Sequence, residues 1–363
     1  MSIFKKIVVV LGPTASGKSD LAVLLALRLR SGRASKYGYR DAEIISADSR
    51  QVYRGLDLGS GKVPRDIIRK TGSYPLVANG YYHQGVRHHL LDVASPKRTF
   101  TAAHYQRLAR KAIQDIIRRG KLPIIVGGTG LYIDAALYGY PFPAIKPNPA
   151  LRKKLERKTT QELFAQLSRL DPRRAASIDR RNRRRLVRAL EIVLESGAPV
   201  PPPQKKKYSE ALGDLGIKEG GVFKIGIRIS PEALKRNIAL RLRRRLARGM
   251  IAEVRKLRQT GVSSRKLEGL GLEYRYVNRF LEGKITRKAM IEAIERESVR
   301  YAKRQMTWWK RDEGIRWVRS APEALRAAEK FLEPKKEKST GNAALVKHQE
   351  TGEKKQASAR SKP

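Results

Sequence analysis

Five consecutive apolar residues, Ile7-Val8-Val9-Val10-Leu11, run straight into Gly12-Pro13-Thr14-Ala15-Ser16-Gly17-Lys18-Ser19. A short apolar run that stops at a glycine reads as a buried strand. A helical pattern follows from Asp20 to Leu29, and a charged connection, Ser31 to Asp41, leads to a second strand at Glu43-Ile44-Ile45-Ser46-Ala47. That strand ends on Asp48-Ser49-Arg50-Gln51. A helix is expected from about Ala102 to Arg119, closed by Gly120, with Arg118, Arg119 and Lys121 beside its negative end. A third apolar run, Leu122-Pro123-Ile124-Ile125-Val126, ends on Gly127-Gly128-Thr129-Gly130. Strand and helix in alternation predict an α/β fold, with a parallel sheet covered on both faces. Functional groups then belong at the carboxyl ends of the strands.

The pattern changes past residue 140. Pro141, Pro143, Pro147 and Pro149 mark one boundary, and Pro199 to Lys207, with Pro201-Pro202-Pro203, marks a second. Between them the chain reads as helices carrying the basic stretch Arg180-Arg181-Asn182-Arg183-Arg184-Arg185. Val222 to Ile229 alternates as a strand, so the chain returns to the sheet. Two long helices are expected, about Pro231 to Gln259 and Arg287 to Arg311. The expected organisation is a core of 1–140 and 209–333, an inserted helical arm of 141–208, and a disordered basic tail of 334–363.

Charge changes the picture more than composition does. Lys and Arg total 79 against 34 Asp and Glu, a formal net of +45. Such an excess is the footprint of a polyanion partner, because phosphate contacts release condensed counterions. The tail carries eight Lys/Arg against three Asp/Glu, so it is not the source. A Lys/Arg-rich proteome accounts for many charges of both signs better than for so large a net. The apolar runs are far shorter than the roughly 20 residues that span a bilayer. No membrane segment or secretory leader is read from the sequence, and the expected location is the cytoplasm. Cysteine is absent, which removes disulfides, thiol zinc sites and thiol nucleophiles.

G-x-x-x-x-G-K-S between a strand and a helix is a phosphate loop. Glycines let successive N–H groups wrap an anion, the helix N-terminus adds its positive end, Lys18 adds a full charge and Ser19 can hold Mg²⁺. The third strand ends in Gly-Gly-Thr, without the acid that an ordinary P-loop NTPase uses to hold magnesium. The nearest candidate carboxylate is Asp48, which can serve a metal, take a proton from a nucleophile, or merely cap a helix. Two glycines and the Thr129 hydroxyl suit close approach by a ligand. The expected fold is a P-loop NTPase-like parallel sheet with flanking helices and an inserted all-helical domain.

Six ordered blocks together resemble the bacterial tRNA dimethylallyltransferase family, also called isopentenyl-tRNA transferases. They are Gly12 to Ser19, Ser46 to Gly55, His88-His89-Leu90-Leu91-Asp92, Val126 to Tyr132, Asn182 with Arg188-Ala189-Leu190-Glu191, and Arg300 to Trp309. The match runs from residue 7 to about 318. The resemblance implies transfer of a dimethylallyl group from dimethylallyl diphosphate to the exocyclic amine of the adenine 3′ of the anticodon. It implies Mg²⁺, the tRNA anticodon stem-loop as partner, no membrane and a monomer. Gly12, Thr14, Ala15, Ser16, Gly17, Lys18 and Ser19 would hold the diphosphate, with Ser19 on the metal. Arg241 would add a second clamp, in place of being one more solvated arginine beside Arg243, Arg244 and Arg245. Asp48 would be the general base, Lys18 and Thr129 its catalytic companions. Ser49, Arg50 and Gln51 would meet the RNA, Ser49 and Gln51 by bonding the base. Arg184, Arg185, Leu186 and Arg188 would contact tRNA on the arm. Lys303, Arg304 and Arg311 could also face RNA, while Trp308 and Trp309 read as core. The histidines 83, 88, 89 and 104 do not spell zinc: His88 and His89 point apart on a strand, and the family uses no histidine-bound metal.

Two departures stand out. Glu273 replaces a glycine in the segment Gly271-Leu272-Glu273-Tyr274-Arg275, and Asn237 stands where an arginine is common. Three rivals remain open from the residues: a small-molecule kinase, an RNA-binding protein without catalysis, and an enzyme that prenylates free adenine nucleotides.

Overall fold

The computed structural model describes residues 5–30, 33–66, 80–201 and 208–334. Strand β1 (Ile7–Leu11) leads to α1 (Lys18–Arg30), the short α2 (Arg33–Lys36) and β2 (Ala42–Ser46). A hairpin, β3 (Tyr81–His83) and β4 (Val86–His89), precedes α3 (Ala102–Arg118), β5 (Leu122–Gly127) and α4 (Gly130–Tyr138). Then come α5 (Pro149–Leu155), α6 (Thr160–Leu170), α7 (Pro172–Ser177), α8 (Arg183–Ser196) and α9 (Tyr208–Gly213). The chain returns through β6 (Val222–Ile227), α10 (Pro231–Ala247), α11 (Met250–Gln259), α12 (Ser264–Leu270), α13 (Leu272–Leu281) and α14 (Arg287–Trp309). It closes with β7 (Ile315–Val318) and α15 (Ala321–Leu332).

The seven strands form one sheet in the order β3-β4-β2-β5-β1-β6-β7. All pairings are parallel except β3 with β4. β1 and β2 are buried at every position, as unbroken apolar runs covered on both faces must be. One face packs Val8, Val10, Ile44 and Ile124 against Leu21, Leu25 and Leu29 of α1 and Ala328 of α15. The other packs Ile7, Val9, Leu11 and Ile125 against Ile113 of α3, Ile133 of α4 and Leu242 of α10. A separate apolar cluster, including Leu155, Leu163, Leu167, Leu186 and Leu190, holds α5 to α8 together.

Local sequence sets the helix starts. Thr101 caps α3 in a reciprocal box with His104. Ser230 caps α10 with Pro231 in its first turn, and Thr286 caps α14. Each oxygen satisfies an N–H that the first turn leaves without a partner. Among the described residues the expected strands at 7–11, 43–47, 122–126 and 222–229 are all present, the last ending at Ile227. The single helix expected over 231–259 is two. Gly249 adopts φ 95°, which breaks the helix between α10 and α11. Of the hairpin, only a strand at His88-His89 is expected from the sequence; β3 and β7 are not. The tail at 335–363 lies outside the described residues.

Gly127 closes against β2. A Cβ there would collide with the Ala47 carbonyl, which is backbone and cannot swing away. Gly127→Ala is expected to destabilise the fold by about 1–3 kcal/mol. Urea unfolding checks this; an unchanged midpoint would contradict the close packing of β2 on β5.

Candidate active site

The phosphate loop leaves β1 at Leu11 and enters α1 at Lys18. Gly17 has φ 82° and Ala15 φ 62°. Alternate left-handed residues turn successive N–H groups to one side, which is how a backbone nest for an anion forms. The first turn of α1 adds N–H groups with no intrahelical acceptor. The Ser16 hydroxyl is buried and has no hydrogen-bond partner among the described residues. Lys18 donates to the Pro13 carbonyl at 3.2 Å, so its ammonium folds back over the loop.

Asp48 shares a cavity with this loop because β5 lies between β1 and β2, while Thr129 follows β5 and sits beside Asp48. Pairing continues past the strand ends: Ala47 N–H donates to Val126 at 2.7 Å and Thr129 N–H to Ala47 at 3.2 Å. Asp48 Oδ1 accepts from the N–H groups of Arg50 at 2.7 Å and Gln51 at 3.4 Å. The carboxylate therefore caps a turn with one oxygen, and Oδ2 has no hydrogen bond among the described residues. Thr129 Oγ1 accepts from Ser49 N–H at 3.3 Å, and its hydroxyl also bonds the Tyr301 side chain. Burial, reinforced by the Asp48 charge, pushes the Tyr301 phenol up to about 12. Gln51 is held on both sides, accepting from Ser46 Oγ at 2.9 Å and donating to the Gly61 carbonyl at 3.1 Å.

Two residues that the sequence reading left without a role complete the wall. Gln305 of α14 is buried; its Oε1 accepts from Thr14 N–H at 2.8 Å and its Nε2 donates to Gly128 O at 2.7 Å. It ties the phosphate loop to the end of β5. Glu253 of α11 accepts from the N–H groups of Asp57, Leu58 and Gly59 at 2.7–3.0 Å and from Tyr274 at 2.8 Å. It pins the loop opposite the phosphate nest. Neither contact has a signal in the sequence, since both join elements more than 190 residues apart.

A small cavity is lined by Thr14, Lys18, Ser19, Asp48, Arg241 and Tyr301. It adjoins a cleft of about 740 Å³ that shares Lys18, Ser19, Gly61 and Arg241 with it. Arg241 donates to Thr14 Oγ1 at 2.5 Å, and Asn237, one turn earlier, donates to Ala15 O at 3.2 Å. Both therefore touch the phosphate loop, and the asparagine departure keeps a hydrogen bond while losing a charge. Burial, reinforced by Arg241 and Arg245, lowers the Lys18 ammonium to about 8. Burial and Arg245 lower Arg241 to about 10. The cleft concentrates positive charge, with Lys18, Arg241 and Arg245 among its lining.

The arm divides its expected contact residues. Arg184 and Arg185 are exposed at the start of α8. Leu186 is fully buried in the arm's apolar cluster, so its side chain is packing and not a contact surface. Arg188 is bound to Glu191 at 2.5 Å and to the Ile145 carbonyl at 2.9 Å. Arg152 holds the same buried carboxylate at 2.7 Å, so Arg188 mainly balances a charge inside the arm. Lys303, Arg304 and Arg311 are exposed, Trp309 is buried, and Trp308 donates to Asp134 at 3.1 Å. His89 bonds Glu43 at 2.7 Å and His88 bonds the Val86 carbonyl, at different partners. No group of three or more metal-ligating side chains occurs among the described residues.

A phosphate nest, a carboxylate and a hydroxyl at the ends of adjacent parallel strands define a group-transfer enzyme built on an α/β sheet. The profile described as "IPP transferase" matches residues 51–312. A tRNA dimethylallyltransferase of Anoxybacillus flavithermus is 36% identical over 86% of this chain and 90% of its own length. The solved full-length tRNA isopentenylpyrophosphate transferase of Bacillus halodurans is 30% identical, with a TM-score of 0.59 over 90% of this chain and 95% of that one. A solved eukaryotic dimethylallyltransferase shares the fold at a TM-score of 0.65 over 92% of this chain and 81% of that one, with 23% identity. The chain belongs to the IPP transferase family, and it is an enzyme.

Lys18 generates a pH dependence with a definite sign. An anion binds best to the charged ammonium, which is present below about 8 in the free protein. Affinity for inorganic pyrophosphate is expected to fall as pH rises through that value, by up to about tenfold per pH unit. Calorimetric titration across that range checks it; a dissociation constant independent of pH would contradict it.

Proposed function

We propose that the enzyme transfers the dimethylallyl group of dimethylallyl diphosphate to the exocyclic amine of the adenine 3′ of the anticodon in tRNA. One observation carries this reading: a single cavity is lined by the phosphate loop, by Asp48 and by Arg241. A leaving-group cradle thus lies beside a carboxylate with one oxygen unengaged. The family and the names of the relatives support tRNA and the prenyl donor as substrates.

In this reading the nest, Lys18 and Arg241 bind the diphosphate and stabilise charge as it departs. The amine nitrogen forms a bond to the allylic carbon while the carbon–oxygen bond breaks, its electron pair leaving with the diphosphate. An adenine amine is a poor nucleophile, and Asp48 Oδ2 is free to take its proton. Thr129, fixed between Ser49 and Tyr301, orients the amine or the bridging oxygen. The base must leave its stack to reach so enclosed a pocket. Gln51 lines this cavity, fixed by Ser46 and Gly61, and in this reading it bonds the base together with the adjacent Ser49 and Arg50.

Magnesium suits this donor set. Mg²⁺ takes few protein ligands and prefers phosphate oxygens and water. Ser19 and Asp48 line the same cavity and offer one hydroxyl and one carboxylate. Ser19 would hold the ion, which when bound neutralises charge on the diphosphate. The exposed Arg184 and Arg185, and the net charge of +45, support an RNA surface on the arm.

The reading is tested with labelled dimethylallyl diphosphate, magnesium and either total tRNA or AMP. Label in tRNA alone supports it; label in AMP alone, or in neither, rejects it. Asp48→Asn is expected to lower the rate of transfer by about 10²–10⁴-fold, with tRNA affinity nearly unchanged in a filter-binding assay. Retained activity would remove Asp48 from the role of base. Replacing Arg184 and Arg185 together by alanine is expected to weaken tRNA binding and to reduce the salt slope by about one to two. An unaltered slope would place the RNA elsewhere.

A further inference from the structure

Several cations line the cleft beyond Lys18 and Arg241, and Arg245 is a buried one among them. Arg245 lies one turn after Arg241 on the same face of α10, is 8% exposed, and lines the cleft with Lys18 and Ser19. One terminal nitrogen donates to Glu273 Oε1 at 3.0 Å and to the Gly59 carbonyl at 3.2 Å. Its Nε and other terminal nitrogen make no hydrogen bond among the described residues. Glu273 is the acid that replaces a glycine in the family pattern, and its side chain is 17% exposed.

Three cations, Lys18, Arg241 and the buried Arg245, therefore line one cleft. Arg245 lowers the proton affinity of the other two. A buried guanidinium is tolerated only with anionic partners, and Glu273 supplies one such charge from outside the phosphate nest. The fork geometry of arginine leaves its remaining N–H groups for an oxyanion. The same side chain packs against Gly61, where an added Cβ would overlap the guanidinium. The Gly61 carbonyl holds Gln51, so this cation is continuous with the wall on the Asp48 side.

We propose that Arg245 is a third cationic contact for the diphosphate and that Glu273 is the positioning residue that holds it there. The proposal rests on the reading of the cleft as a diphosphate site. The alternative is a strut that only fastens α13 to the 58–61 turn.

Calorimetry with inorganic pyrophosphate on the full-length protein distinguishes them. Arg245→Gln is expected to weaken pyrophosphate binding by about tenfold or more, as loss of a charge-assisted contact requires. Arg245→Lys keeps the charge without the fork and is expected to give an intermediate loss. Glu273→Gln is expected to weaken binding by a smaller factor, and Glu273→Asp to recover part of it. tRNA affinity of all four should stay within about twofold of the parent, since none lies on the exposed RNA face. Pyrophosphate affinity equal to the parent in Arg245→Lys and Arg245→Gln, with only the melting temperature lowered, overturns the proposal in favour of the strut. If the parent itself does not bind pyrophosphate, the reading of the cleft falls, and this proposal with it. Should Arg245→Gln fail to fold, Arg245→Lys and Glu273→Gln decide the question.

Discussion

Everything at the site depends on β5 pairing in parallel between β1 and β2. That register sets Leu11 beside Gly127 and Ser46 beside Val126. The three chains leaving these strands then share one edge of the sheet. Thr14, Lys18 and Asp48 line one cavity, with Thr129 bonded beside Asp48, for this reason. The absence of a side chain at Gly127 is part of the same constraint, because β2 approaches its Cα too closely for a methyl group.

Once the strand ends are side by side, electrostatics governs what surrounds them. Lys18 is desolvated beside Arg241 and Arg245, and Arg241 is desolvated beside Arg245, and both lose proton affinity as a result. The nearby acids are arranged to limit this without filling the nest. Asp48 spends one oxygen on a turn, Glu253 takes three backbone N–H groups, and Glu273 takes Arg245. Lys62 offers the inverse case: its buried ammonium is satisfied by Asp57, Asp92 and the Tyr53 carbonyl. The cleft is thus strongly positive in one place and neutralised around it, which favours a compact polyanion over a diffuse one.

The central sheet was legible because burial on both faces imposes long apolar runs, and the phosphate loop because its geometry demands glycine at fixed spacing. That Asp48 and Thr129 follow strand ends is legible from their position after such runs. The arm was read less well. Leu186 and Arg188 sit in a basic stretch whose pattern does not say which face is inward. The helix predicted over 231–259 missed the break at Gly249, because a single glycine inside a periodic pattern is tolerated as often as it is disruptive. Gln305, Glu253 and Arg245 act across long separations, and each looks like one more polar helix residue until its partner is known.

By itself, then, the sequence determined the strand–loop–helix that makes the anion nest, the order of the strands along the chain and the excess of positive charge. These follow from local sterics, from the burial of apolar runs and from simple counting. Tertiary structure decided which strands became neighbours, and hence that a carboxylate and a hydroxyl face the nest. It decided that Arg241 and Arg245 point into the cleft while Arg188 turns inward to Glu191. The cause is that side-chain direction, desolvation and charge pairing depend on what packs opposite, and a sequence read along its length does not contain that distance.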